Sequence, residues 1–409
     1  MLFSLCFATS TDWPGADTLW PVLGTLALLA AGPQTVVARW VSRPGWLFAG
    51  GISYPLYLGH WPILVAWRAA FGAFSLVVGC LLVLLAVALA WATKRWIEEP
   101  IRRARHSNPA KGSRQVIWLM AAHIGVAGLG AWAWIGKGLS WRLPREVQEV
   151  AGWSEKAGYN AWRLNACYYF LGDARPYAQA CSPRQGPNAP VILLWGDSHA
   201  GHLYPGLNFE AAARGFRVAQ WTTAGCPPTL SKLEGEGLQC DDKRNFVRDQ
   251  IKQGTPEIAI VSAFWQYYLQ HNTEAELRAA VSETVIALRR SGSRSVLVFG
   301  PGPTWNVSLQ AEMLRHMLLT KDYRVPGRLR PQDGDSRHVE ALMADIAKEA
   351  GAEYVSVLSI LCNEQGCLTA KPGPSLELLY FDGSHLNVSG SKLLLQATAP
   401  QVLDMPPKR

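Results

Sequence analysis

Charge is what this 409-residue chain has least of. Asp, Glu, Lys and Arg make up 17% of it, where soluble domains run near ~25%. Acids are especially scarce in the first third, where residues 1–139 hold four: Asp12, Asp17, Glu98 and Glu99. No low-complexity tract or internal repeat is present, which excludes disordered and solenoid classes. Paired CxxC spacing is missing and no histidine stands near the cysteines, so no metal site is expected. A convincing signal peptide is absent as well.

What is present is unevenly placed. Eleven Lys and Arg in residues 1–139 face those four acids, which puts +7 of the net +8 there. Twelve of the 18 Trp lie at or before Trp141. A spanning helix needs about 20 mostly apolar residues. Trp46–Trp67, Phe74–Thr93 and Val116–Ile135 approach or reach that length, and Leu19–Ala38 adds a fourth stretch interrupted by Gly32-Pro33. Pro55 and Pro62 are tolerable inside a membrane helix. About four transmembrane helices are therefore expected.

Orientation follows from the loops. Ala38–Gly45 carries Arg39 and Arg43, and Lys94–Gln115 carries seven Lys and Arg, so both should face the cytoplasm. Everything after Lys137 is then outside, and so is Met1, as in an interior segment of a longer membrane domain. The run Arg102–Arg105 is accounted for by this rule and by anionic lipid. A lipid bilayer is the expected partner; nucleic acid is not.

Cys6 and Cys80 fall in the membrane part. The other six stand near one another as Cys167/Cys181, Cys226/Cys240 and Cys362/Cys367. An even number in an exported region points to disulfides, although six cysteines allow 15 connectivities.

Beyond residue 190 the chain alternates. Short apolar runs at Pro190–Trp195, Phe216–Trp221, Glu257–Ala263, Ser295–Gly300 and Ala352–Leu358 read as buried parallel strands. Helical patterns at 201–214, 241–253, 274–291, 335–350 and 388–399 separate or follow them. The expectation is an α/β fold with helices on both faces of a parallel sheet. Ligands in such sheets bind beyond the carboxyl ends of the strands. Residues 139–189 read as a linker or cap, which gives three regions: 1–138, 139–189 and 190–409.

The chemistry stands at strand ends. The first run leads into Gly196-Asp197-Ser198-His199, which places a serine hydroxyl at a helix N-terminus, where free N–H groups favour a developing oxyanion. A lone serine there is usually an N-cap. Phe381-Asp382-Gly383-Ser384-His385 precedes the last helix. Asp382 and His385, three apart, can face one way, so the histidine can take the serine proton while the aspartate fixes its tautomer.

The two motifs resemble the blocks of the SGNH (GDSL-like) hydrolase family. The resemblance implies an α/β/α three-layer domain with Ser198 as nucleophile, His385 as general base and Asp382 as its partner, without a cofactor. Thr222-Thr223-Ala224-Gly225-Cys226-Pro227-Pro228 is similar to the second block, which implies an oxyanion hole built from the Ser198 and Gly225 N–H groups. Ser262-Ala263-Phe264-Trp265-Gln266 stands where the family has GxND. The third oxyanion donor, an Asn, has no counterpart there; a Trp at this place resembles SGNH domains appended to membrane acyltransferases.

The membrane part resembles the same kind of protein. Gly51-Ile52-Ser53-Tyr54-Pro55-Leu56-Tyr57-Leu58-Gly59-His60-Trp61-Pro62 is similar to a signature of late helices in acyltransferase-3 proteins, and Glu98-Glu99-Pro100-Ile101-Arg102-Arg103 to the segment closing that domain. Trp13-Pro14-Gly15 fits a helix just upstream. His60 is thereby marked as a possible membrane-domain site. The family's earlier helices are not in this sequence, which implies a truncated form or an upstream portion supplied separately. Resemblance implies a multi-pass protein of the bacterial inner membrane, its SGNH domain in the periplasm. Acyl, in particular acetyl, would pass from acetyl-CoA through those earlier helices to a cell-envelope glycan such as lipopolysaccharide, exopolysaccharide or peptidoglycan. A carbohydrate O-acetyl esterase is the close alternative, and a non-catalytic glycan-binding scaffold the distant one.

Overall fold

The computed structural model describes residues 19–403, apart from 31, 33, 73, 108, 137, 139, 157, 183–189, 238, 332–335, 372 and 374. Cys6, Asp12, Asp17, the Trp13-Pro14-Gly15 stretch, Pro33 and Lys137 lie outside the described residues. The chain divides into two compact units, one ending at Ile135 and the other beginning at Gly136.

The first unit is helical. Its longer helices are Pro44–Phe71, Leu76–Thr93 and Pro109–Ile135, and a π-helical turn at Lys94–Glu98 carries the second into Glu99–Ser107. Pro55 and Pro62 sit inside Pro44–Phe71. Leu19–Ala38 does not form the single span expected of it. A 12-residue helix ends at Ala30 and a six-residue helix starts at Val36, its N-cap Thr35 accepting the Ala38 N–H. Gly32, with φ +73°, supplies the break between them. Among the described residues two helical stretches are long and apolar enough to cross a membrane, Leu76–Arg103 and Ile117–Ile135.

The second unit is built on a six-stranded sheet. Its strands are β1 (Tyr168–Tyr169), β2 (Val191–Gly196), β3 (Arg217–Thr223), β4 (Ile258–Ser262), β5 (Ser295–Phe299) and, after the short β6 (Arg328–Leu329), β7 (Glu353–Val355). They lie in the order β1-β3-β2-β4-β5-β7 and every neighbouring pair is parallel. All six residues of β2 are buried, as a strand covered on both faces requires. Alternate side chains serve the two layers. Ile192 and Leu194 join a core with Leu207, Leu394 and Leu395, while Leu193 and Trp195 join one with Val247, Val281, Val285 and Met343. The result is a three-layer α/β/α domain. Because β3 and β4 flank β2 on opposite sides, the carboxyl end of β2 is the switch point where such sheets open a crevice.

Several elements differ from the reading of the sequence. Residues 139–189 are not all peripheral: Val147 and Val150 enter the core, and β1 pairs with β3 through Tyr168 and Tyr169. The last strand is shorter than Ala352–Leu358, because the Ser356 side chain accepts the Ser359 N–H and starts helix Val357–Leu361. An unanticipated helix, Leu309–Thr320, begins at the cap Ser308. A small antiparallel sheet joins β6 to β9 (Gly366–Leu368) and β8 (Cys362–Asn363). Disulfides link Cys167 to Cys181, Cys226 to Cys240 and Cys362 to Cys367.

Candidate active site

Ser198 follows β2 at the switch point. Gly196 makes the approach possible, since a Cβ there would lie 1.8 Å from the Ser262 carbonyl oxygen and 2.8 Å from Ala200 Cβ. Asp197 is the N-cap of the short helix Ser198–Gly201 and accepts the His199 N–H at 2.8 Å. Ser198 is thereby the first residue of a helix rather than its cap, which leaves its hydroxyl for other work.

That hydroxyl meets His385 Nε2 at 2.9 Å, and His385 Nδ1 meets Asp382 Oδ2 at 2.7 Å. Residues 187 apart in sequence are thus brought into one chain of hydrogen bonds. The loop bearing the last two is held from several sides. Asp382 Oδ1 accepts the N–H groups of Ser384 and His385 at 2.8 and 2.7 Å. Its carbonyl accepts the Leu309 N–H, and that of Gly383 the Trp305 N–H. Asn387 then accepts the Gly390 N–H and starts the last helix. Burial alone would raise the Asp382 carboxyl, but the His385 hydrogen bond and charge, with the backbone donors, outweigh it and hold the group below its usual range.

Gly225 ends the turn after β3 with φ +67°, a conformation suited to glycine. Its carbonyl accepts the Gly237 N–H at 2.9 Å. The adjacent Cys226–Cys240 disulfide ties this loop to helix Cys240–Gln253. Gly225 and Ser198 therefore stand at the carboxyl ends of neighbouring strands. Trp265 is not aimed at them: it is fully buried and its indole N–H donates to the Phe299 carbonyl at 2.8 Å. What its segment gives the site is the Phe264 N–H, donated to Asp197 Oδ2 at 2.9 Å, alongside the Tyr268 hydroxyl at 3.1 Å. Burial pushes the Asp197 carboxyl up to about 6 despite those donors.

Three further contributors escaped the sequence reading. His199 is buried, lies flat against Phe264 at 4.6 Å, and has its ring centre 4.8 Å from that of His385. His202, also buried, accepts the Leu386 N–H through Nδ1 at 3.4 Å. Burial depresses both imidazoles well below their usual range, so they surround the site as neutral rings. Their spacing of three from one another on the turn after Ser198 was the available signal. The third is an aromatic group in which Trp162 and Phe381 lie 5.5 and 5.8 Å from His385.

His60 belongs to the other unit. Its Nδ1 bonds the Tyr57 carbonyl at 2.8 Å and the Leu56 carbonyl at 3.1 Å, within its own helix. It borders an apolar groove with Ser53, Tyr57, Leu82 and Ala86.

The parallel α/β/α sheet that carries this site has counterparts among known proteins. No curated protein matches the chain. The solved periplasmic domain of a lipopolysaccharide acetyltransferase from Salmonella ser. Paratyphi A is 21% identical; the match covers 62% of this chain and 99% of that one, with a TM-score of 0.53. A carbohydrate acetylesterase from Sinorhizobium meliloti is 14% identical over 53% of this chain and 99% of its own, with a TM-score of 0.34. An aryl esterase of M. smegmatis is 12% identical over 53% and 100%, with a TM-score of 0.35. The last two superpose too loosely to bear on the site. The model of the SGNH domain found fused to AT3 domains matches residues 166–400, and the chain belongs to that family.

Proposed function

We propose that this chain is a membrane-anchored O-acyltransferase that passes an acyl group, in particular acetyl, through Ser198 to a hydroxyl of a cell-envelope glycan. The observation that carries the reading is the unbroken hydrogen-bond chain Ser198–His385–Asp382 in a domain of a family fused to acyltransferases. Ser198 Oγ attacks the acyl carbonyl and its proton goes to His385 Nε2, which returns it to the departing group. The Ser198 and Gly225 N–H groups hold the oxyanion. In the second half an acceptor hydroxyl gives its proton to His385 and attacks the Ser198 ester, and the serine recovers the proton. Asp382 fixes the imidazole tautomer throughout. Acceptance of the acyl by water instead would make the protein a carbohydrate O-acetyl esterase.

The reading extends to the first unit. Helices Leu76–Arg103 and Ile117–Ile135, with Pro44–Phe71 and the Leu19–Val41 region, act as about four spans of a partial acyltransferase-3 domain in the inner membrane, with the second unit in the periplasm. Acetyl-CoA is the ultimate donor, reached through further acyltransferase-3 helices, and His60 belongs to that membrane site. A lipopolysaccharide acetyltransferase among the structural neighbours agrees with the acceptor class.

Product identity tests the proposal. With p-nitrophenyl acetate and an oligosaccharide acceptor, the full chain should form acetylated glycan detectable by mass spectrometry. Free acetate alone would leave the esterase, and neither product would leave the scaffold. A reporter fused after Lys137 should be active outside the cytoplasm; activity inside would overturn the topology.

A further inference from the structure

The acceptor's nucleophilic oxygen must come within about 3 Å of His385 Nε2 to give up its proton. The body of a sugar ring attached to that oxygen then has to rest on whatever flanks His385. On one side that flank is aromatic. Phe381 stacks on His385 with an interplanar angle of 18°, and Tyr159 meets Phe381 edge-on at 5.3 Å and Phe170 edge-on at 5.0 Å. Trp162 and Tyr168, which complete the cluster, are core residues, each 1% exposed. Phe170 is different: it is 44% exposed. Tyr159 is half-buried, and its hydroxyl makes no hydrogen bond among the described residues.

The segment that presents these rings is fixed in advance. Arg163 and Asn165, between Trp162 and Tyr168, take φ of +64° and +62°, which non-glycine residues adopt only when their surroundings hold them there. The Arg163 carbonyl accepts the N–H groups of Ala166, Cys167 and Tyr168. Gln220 Nε2 donates to the Trp162 carbonyl at 2.9 Å, and the Cys167–Cys181 disulfide closes the segment. On the oxyanion side, Leu171 fills the space beside the glycines: a Cβ on Gly225 or Gly237 would lie 2.8 or 1.9 Å from its Cδ1.

We infer that Phe170, Tyr159 and Phe381 form an aromatic corner for the acceptor, in which a pyranose ring stacks on the exposed Phe170 ring with the Tyr159 hydroxyl hydrogen-bonded to a sugar hydroxyl. The C–H face of a pyranose is apolar and partly positive, which matches the negative face of an aromatic ring. The corner rests on the proposed glycan chemistry of Ser198 and names the residues that recognise the glycan.

Two readouts on the full chain in detergent micelles test it. In saturation-transfer NMR with methyl glucoside, galactoside, rhamnoside and N-acetylglucosaminide, ring C–H protons of at least one should be saturated by wild type and by Ser198→Ala, and far less by Tyr159→Ala or Phe170→Ala. With p-nitrophenyl acetate as donor and that glycoside as acceptor, the ratio of transfer to hydrolysis should fall about tenfold in each alanine variant. It should fall less in Tyr159→Phe, which keeps the ring, and recover in Phe170→Trp. An unchanged ratio in folded alanine variants overturns the aromatic corner. So does equal loss of transfer and hydrolysis, which marks a structural role, and so does a wild type that hydrolyses the ester through Ser198 yet binds no pyranoside. Ester hydrolysis that survives Ser198→Ala overturns the serine chemistry itself, separately.

Discussion

Two apolar helices in this chain have opposite fates. In Ile117–Ile135 nothing is buried within the apolar window, and Leu129 and Ile124 are 65% and 69% exposed. In Val388–Leu403, Leu394, Leu395 and Val402 are fully or almost fully covered. Composition separates them in part, since Ile117–Ile135 is long and apolar enough to cross a membrane while Val388–Leu403 carries Lys392, Gln396 and Gln401; the rest is the partner each finds. The second unit supplies a sheet for its helix to cover, and the first leaves large apolar area outside the protein, as a helix facing lipid does. The difference teaches where precision is available. Close packing and disulfides fix side chains to within hydrogen-bond distances in the second unit, and the Ser198–His385–Asp382 chain is found there.

The comparison breaks first if chemistry does not follow packing. Ser198→Ala and His385→Ala should each lower turnover of p-nitrophenyl acetate by at least about 10³-fold, while changes in the first unit such as His60→Ala should leave that turnover of a soluble donor far less affected. Stopped assays on the purified full chain measure both. It sharpens next in stability. Leu394→Ala should destabilise the second unit by about 2–5 kcal/mol, and Leu129→Ala, exposed and in the other unit, should barely move the same denaturation midpoint. Reduction comes third. Opening the three disulfides, all in the second unit, should cost it about 2–4 kcal/mol per long loop, with helical circular dichroism from the first unit retained.

The smallest expected effect is on pH. The folded state holds Asp382 below its ordinary pKa, so the stability it gives is present above the unfolded value of about 4 and lost as pH falls through the lower folded value. Asp382→Asn should therefore differ from wild type in unfolding free energy at pH 7, and the gap should narrow in acid. A gap independent of pH would show that the carboxylate charge is not what the loop uses.

Much of this is legible in the sequence. The runs that became β2 to β5 were bounded by turns and too short and branched for helices, and Ser198, Asp382 and His385 stood at the ends where α/β sheets place chemistry. The edge strand β1 was not legible, because two residues carry no period and their pairing partners, Thr222 and Thr223, are more than 50 positions away. Nor was the work of Asp197, whose Phe264 and Tyr268 partners come from the far side of β4. The break in Leu19–Ala38 falls at Gly32, where the sequence already carries the Gly32-Pro33 interruption. Tyr159 and Phe170 read as linker residues until the fold sets Tyr159 against Phe381 and Phe170 against Tyr159.

The central claim, that Ser198 is the nucleophile, is tested most directly by active-site labelling. The full chain treated with a serine-reactive phosphonate should carry one adduct on the peptide containing Ser198, and Ser198→Ala should carry none. A folded wild type that takes no label, or a variant that still does, would contradict it.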